Sequence, residues 1–194
     1  MKRNILLVWV YFLLVFTSCK TYESASIRTQ KWPGDSIESM RDVGIGFFES
    51  TGTARTSHSQ QNLYDSLAFS LRELGYVTRE TPAMFQALDR TGLPVDRLLT
   101  DEEILRLAGR AGVRLFIQGR LQEIKTETLL EDHLQVMLNL SVYDAKIGEK
   151  IGEIKVFGTD LDYNTGKQTL DLARIARNDL EALIANRDQK VIRQ

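Results

Sequence analysis

The stretches 111-AGVRLFIQGRL-121 and 134-LQVMLNLSVYDAKIGEKIGEIKV-156 alternate apolar with polar residues over most of their length. This alternation is typical of β-strands that bury one face and expose the other. If short turns join these strands, their alternating aliphatic residues all lie on one face of the sheet. A correct pairing register must bring these residues to the buried face. We therefore predict a three-stranded antiparallel meander with these cross-strand pairs: Leu115 with Val142, Ile117 with Leu140, Leu140 with Ile154, and Leu138 with Val156.

Helices and shorter strands are predicted on both sides of the meander. Leucines spaced by four, four and three residues form one face of a helix that ends before Gly75. Thr100 and Glu103 match a capping box, which predicts another helix that runs to about Ala111. The full order is β-α-β-α-α-β-β-β-α. The other predicted elements are strands at 43–48 and 76–79, a loop at 49–58, and helices at 81–88 and 167–185.

These elements make one small α+β domain, residues 42–186, with a mixed sheet and about four helices. Residues 20–41 are polar, contain Pro33-Gly34 and show no sustained period, so residues 19–41 are predicted to be the anchored cysteine and a flexible tether. Residues 187–194 are predicted to be a polar tail.

Residues 1–18 have the order of a secretory signal peptide. A basic start is followed by an unbroken apolar run of twelve residues, Ile5 to Phe16. A membrane-spanning helix needs about 20 apolar residues, so this run suits a signal sequence better.

The run leads directly to the single cysteine of the chain, Cys19. The sequence Phe16-Thr17-Ser18-Cys19 resembles the lipobox of bacterial lipoproteins, with phenylalanine where an aliphatic residue is usual. The resemblance implies cleavage between Ser18 and Cys19 and acylation of Cys19. By analogy with Gram-negative sorting, Lys20 at the next position points to the outer membrane.

Composition excludes several classes of function. With 25 basic and 26 acidic residues, the chain has no basic excess for binding nucleic acid. One cysteine excludes an internal disulfide and a thiolate metal cluster. Gly44 and Gly46 lack the third glycine of a dinucleotide-binding loop, and His58 has no partnered acid nearby in sequence. His133 follows Glu131 and Asp132, a cluster that could bind a cation weakly but that fits a solvated hairpin end better. We predict no catalytic residues, no metal site and no cofactor.

The polar faces of the meander strands carry aromatic, methionine and arginine side chains. Such side chains are enriched in protein-binding patches. An alternative is that helices cover this face and that its aromatic residues form a second core layer. The candidate partner-binding residues are Arg114, Phe116, Gln118, Arg120, Met137, Tyr143 and Phe157.

Several segments together resemble a superfamily of bacterial lipoproteins. It includes the curli secretion channel subunit, the outer-membrane activators of penicillin-binding proteins and a flagellum-associated outer-membrane lipoprotein. The resemblance implies a non-enzymatic α+β fold like an anticodon-binding or TolB N-terminal domain. Its segments are the lipobox, VGIGFFESTG at 43–52, LGYV at 74–77, AGVRLFIQGRL at 111–121 and LNLSVYDAKIGEKIGEI at 138–154.

Three functions are compatible with these features. The first is a membrane-anchored periplasmic lipoprotein that binds and modulates, or helps to assemble, an envelope protein such as a peptidoglycan synthase. A short tether weakens the synthase form of this hypothesis, because the synthase activators carry a longer arm. The alternative is a subunit of an oligomeric outer-membrane secretion or flagellar structure. A channel would need further alternating strands, and none remain. An enzyme of unrecognised type is disfavoured, because no catalytic constellation is found.

The lipobox generates the first prediction. Cys19→Ser removes the sulfur that would carry the acyl chain, and each buried CH₂ of such a chain contributes about 0.8 kcal/mol to membrane binding. We expect the variant to lose the acyl chains at residue 19. Mass spectrometry of the purified chain measures this. A wild-type chain with a free thiol at residue 19 would contradict the prediction.

Overall fold

The protein is described by a computed structural model. The residues that it describes are 21–28, 41–52, 57–79, 86, 89–94, 96–127, 132–161, 165–184 and 190–193.

A seven-stranded sheet forms the centre of the domain. Its strand order is β3-β2-β4-β5-β6-β1-β7. β2 runs parallel to β3 and β4, whereas all other neighbours are antiparallel, so the sheet is mixed as predicted and contains the β4-β5-β6 meander. The strands are β1 Thr21–Arg28, β2 Asp42–Gly52, β3 Val77–Thr78, β4 Leu115–Glu127, β5 Asp132–Asp144, β6 Glu149–Leu161 and β7 Lys190–Arg193.

Among the described residues, three long helices pack on the two faces of this sheet. They are α1 Ser57–Glu73, α2 Asp101–Ala111 and α3 Thr165–Ile184. Residues 86 and 89–91 are also helical, but most of the helix predicted at 81–88 lies outside the described residues. The α+β class predicted from the sequence is confirmed.

The helix boundaries follow their sequence signals. At the start of α2, the Thr100 backbone N–H donates to Glu103 Oε2 over 2.9 Å, and the Glu103 N–H donates to Thr100 Oγ1 over 3.4 Å. This is the predicted capping box, which satisfies two backbone donors that a helix start leaves unpaired. After α1, Gly75 has a φ of 81°, which glycine adopts without steric cost.

The main core lies between the sheet and the pair α1 and α3. Leu63, Leu67 and Leu71 of α1 are essentially fully buried there. Complete burial of such side chains stabilises the fold by about 1.5–3 kcal/mol each. The helices are also joined by a bond of 3.0 Å from Arg177 Nη1 to Glu73 Oε2.

A second, smaller core lies on the opposite face, under α2. Phe116 is fully buried there and packs with Ile104 and Leu107 of α2. The Phe116 ring occupies the space that a side chain at Gly46 would need. Gly46 therefore makes room for the Phe116 ring. This packing role explains the glycine without a dinucleotide-binding loop.

The two hairpin registers differ in how well the sequence predicted them. The predicted register of β5 with β6 is confirmed, because Leu140 pairs with Ile154. The predicted register of β4 with β5 is wrong by two residues, because Leu115 pairs with Asp144 and Ile117 with Val142. A shift of two leaves every side chain on its original face, so alternation does not distinguish these registers.

Three predicted segments require correction. Residues 21–28 of the predicted tether form β1, which pairs with β6 along its whole length. Residues 190–193 of the predicted tail form β7 beside β1. The predicted loop at 49–58 is also wrong, because β2 continues to Gly52 and α1 begins at Ser57. On β1, the core-side residues are Tyr22, Ser24 and Ser26, which give no aliphatic alternation to detect.

Gly119 generates a prediction about stability. A Cβ at this position would collide with the backbone oxygen of Asn139 on β5, which belongs to the sheet and has little freedom to move. We expect Gly119→Ala to lower the free energy of unfolding by about 1–3 kcal/mol. Urea denaturation followed by circular dichroism measures this change.

Gly109 provides the matched control. It lies on the exposed side of α2, and a Cβ there meets nothing within 4 Å. Gly109→Ala should raise the free energy of unfolding by about 0.5–1 kcal/mol, because alanine is the better helix former. Equal effects of the two substitutions would contradict the packing argument.

Candidate functional site

The part of the sheet that no described helix covers is here called the open face. It lies on the same side as α2, beyond the small core. Its residues come from four neighbouring strands and are Glu49, Arg120, Gln122, Met137, Asn139, Lys155 and Phe157.

One cross-strand row of the open face is charged and polar. Glu49 on β2 pairs with Arg120 on β4, Arg120 with Asn139 on β5, and Asn139 with Lys155 on β6. Arg120 Nε donates to Glu49 Oε2 over 2.6 Å. Both side chains are largely exposed, so this ion pair contributes at most about 1 kcal/mol to stability. The Arg120 guanidinium and the Glu49 carboxylate are therefore available to a partner.

The next row along the strands is more apolar. Met137 on β5 pairs with Phe157 on β6, and Gln122 flanks Met137 on β4. Phe157 is 36% exposed, so part of its ring is accessible to a partner. The open face therefore combines an aromatic and a methionine side chain with an adjacent row of charges.

An open groove of about 440 Å³ lies where the charged row approaches the start of α2. Its polar lining contains one hydroxyl group, Ser141, and neither histidine nor cysteine. Lys150 donates a hydrogen bond to Glu153 in the groove, and this bond lowers the pKa of the Glu153 carboxyl. The lining is Leu98, Gln118, Gly119, Arg120, Asn139, Leu140, Ser141, Lys150, Glu153 and Lys155.

Gln118 holds one wall of this groove in place. The Leu99 backbone N–H donates to Gln118 Oε1 over 2.7 Å, and Gln118 Nε2 donates to the Leu99 carbonyl over 2.8 Å. These paired bonds fix the segment before α2 against the sheet and satisfy a buried amide. Gln118 is therefore a positioning residue for the groove wall that contains Leu98.

The seven predicted partner-binding residues divide into two groups. Phe116, Gln118 and Tyr143 are buried, so the prediction that they contact a partner is corrected. Phe116 and Tyr143 belong to the small core beneath α2, which is the second-layer alternative considered above. α2 covers these positions because its apolar face needs a partner on the sheet.

Of the other four residues, one is structural and three lie on the open face. Arg114 is mostly buried and forms an ion pair of 3.2 Å with the buried Asp144, so its role in the fold is structural. Arg120, Met137 and Phe157 lie on the open face, where the sequence placed them. The signal peptide, Ser18 and Cys19 lie outside the described residues.

Glu49 is an open-face residue that sequence reasoning missed. Its neighbours Ser50, Thr51 and Gly52 resemble loop residues, so the sequence predicts a strand that ends at residue 48. The parallel pairing with β4, which continues through Gly52, keeps this segment extended. No signal within the segment reveals it, because its partner Arg120 is 71 residues away in sequence.

Two further observations concern the described residues alone. Among them, no group of three or more histidine, cysteine, aspartate or glutamate side chains could hold a metal ion. None of the helices in this part of the chain combines the length and apolar character needed to cross a bilayer.

Comparison with known proteins yields structural neighbours. No family model and no curated protein matches the chain. The PelC dodecamer from Paraburkholderia phytofirmans matches with a TM-score of 0.55 and 14% identity, covering 80% of this chain and 96% of PelC. Lipoprotein GNA1162 from Neisseria meningitidis matches with a TM-score of 0.50 and 14% identity, covering 74% and 97%. The chain shares the fold of PelC and GNA1162.

A third neighbour is weaker. The NMR structure of E. coli LpoB gives a TM-score of 0.46 and 11% identity, covering 68% of this chain and 75% of LpoB. The fold assignment rests on the two stronger matches. The resemblance predicted from the sequence is confirmed at the level of the fold.

The groove wall generates a prediction about pH. The side-chain hydrogen bond from Arg97, at 2.6 Å, and the backbone N–H of Thr100 lower the pKa of Glu103 to about 2. A carboxyl whose folded-state pKa is depressed stabilises the fold fully above its unfolded-state value. That contribution disappears as the pH falls through the folded-state value.

Glu103→Gln tests this effect, because glutamine can still complete a capping box but carries no charge. We expect wild type to be more stable than the variant at neutral pH. The difference should begin to shrink below about pH 4.5 and should be mostly lost near pH 2. Urea denaturation across this range measures it. A difference that grows as the pH falls would contradict the assignment.

Proposed function

We propose that this protein is a non-enzymatic lipoprotein of the bacterial envelope that uses its open face to bind another protein. Acylated Cys19 holds it at the outer membrane with the domain in the periplasm. The partner class is an envelope protein such as a peptidoglycan synthase, which the protein modulates or helps to assemble. The observation that carries this proposal is the open face itself.

The composition of the open face supports a protein partner. Phe157 and Met137 supply apolar contact area, and Arg120 supplies a planar cation that can form paired hydrogen bonds. Glu49 beside Arg120 and Glu153 beside Lys150 keep both signs of charge on this side of the sheet. A surface of mixed charge favours a protein partner of complementary pattern over an anionic polymer.

A second candidate function is a subunit of an oligomeric envelope structure. The PelC structure is a dodecamer, and its fold covers most of this chain. Under this alternative the open face contacts a second copy of the same chain. The two functions share the membrane anchor and differ in what covers the open face.

Photo-crosslinking in the cells that carry the protein distinguishes the two. Phe157 is replaced by a photoreactive phenylalanine derivative, which conserves the ring. Phe69 on α1 serves as the matched control, because it is also an exposed phenylalanine but lies on the other side of the sheet. Crosslinked products are identified by mass spectrometry.

We expect ultraviolet light to produce a crosslink from position 157 that is absent from position 69. A product with a different envelope protein supports the first function, and products at multiples of the mass of this chain support the second. Arg120→Glu should reduce either product, because it reverses the charge beside Asn139 and Lys155. Equal crosslinking from both phenylalanine positions would contradict binding through the open face.

A further inference from the structure

The described fold begins very close to the proposed lipid anchor. β1 starts at Thr21, only two residues after Cys19. Two residues of fully extended chain span about 7 Å. If Cys19 is acylated, as the proposed function requires, the first residue of the sheet lies within this distance of the membrane surface.

β1 is firmly built into the sheet. All eight of its residues pair with β6, from Thr21 opposite Thr159 to Arg28 opposite Gly152. β7 pairs with its other side, so β1 is an interior strand. Releasing it as a tether would break hydrogen bonds on both sides and expose the edge of β6. The paired strand therefore transmits the position of the anchor to the whole domain.

We propose that the domain stands directly on the bilayer surface, with the end of the sheet that contains Thr21 facing the lipid. The same end contains Ile124, which pairs with Gln135 at the level where β6 reaches Thr159. Ile124 is 46% exposed. The opposite end contains Ile147 in the β5–β6 turn, and that side chain is equally exposed.

The strand length separates the two ends clearly. From Thr159 to Glu149, β6 spans ten residues, which is about 33 Å at ~3.3 Å per residue. Ile147 therefore lies tens of ångströms farther from the membrane than Ile124. The open face lies between the Thr21 end and the Ile147 end of the sheet. A partner that binds it is therefore held within about 33 Å of the bilayer.

The ion pairs on this side of the sheet favour the upright orientation over a flat one. Lipid surfaces that are anionic attract clusters of lysine and arginine. Arg120 and Lys150 each form an ion pair with an acidic side chain, Glu49 and Glu153 respectively, so these two basic groups do not add to such a cluster.

Energy transfer from a labelled protein to a labelled bilayer tests the orientation. The acylated full chain is reconstituted into vesicles of phosphatidylethanolamine and phosphatidylglycerol that contain a rhodamine-labelled lipid. A donor dye is attached to Ile124→Cys or to Ile147→Cys. Because the chain has a single natural cysteine and acylation blocks it, each variant offers one free thiol.

We expect severalfold higher transfer from position 124 than from position 147. Inserting a flexible glycine–serine segment of about twenty residues between Lys20 and Thr21 should lower transfer from position 124, because the domain can then leave the surface. Equal transfer from both positions without the insertion, or higher transfer from 147, overturns the orientation.

Flotation of the vesicles separates this inference from the proposed function. A chain that fails to float with the vesicles is not acylated, which overturns the anchor and the orientation together. A chain that floats but transfers equally from both labelled positions overturns the orientation alone. Circular dichroism of both cysteine variants checks that the fold is intact.

Discussion

Successive side chains of a β-strand point to opposite faces of the sheet, and this constraint governs the arrangement of the domain. α1 and α3 cover one face over the length of the meander, and the main core forms there. α2 has only eleven residues and covers part of the other face, around Phe116. The remainder of that face contacts water, and it carries charged and amide side chains beside Met137 and Phe157.

Close backbone approaches fix where the covered part ends. Phe116 fills the space beside Gly46, and Gln118 binds the segment that leads into α2 through two backbone hydrogen bonds. Beyond Gln118, the same side of β4 continues with Arg120, which is exposed. Within five residues, Phe116 to Arg120, one strand therefore passes from a packed core to an accessible surface, and the groove lies at this boundary.

The position of β1 connects this surface with the proposed membrane anchor. A strand that starts two residues after the proposed acylation site leaves no room for a long tether between anchor and sheet. With Cys19 acylated, as we propose, the domain stands on the bilayer and the open face extends away from the lipid. This geometry favours partners that are themselves membrane-bound over partners deep in the periplasm.

Local patterns in the sequence determined the elements of this protein. Alternation predicted the meander, and Thr100 with Glu103 predicted the start of α2, because these signals act between residues close in sequence. Only the tertiary structure decided that Phe116 is covered and Arg120 exposed, since both follow the same alternation. It also decided that residues 21–28 form a strand. Their stability comes from hydrogen bonds to β6, more than a hundred residues away, which leave no periodic signal in a polar segment.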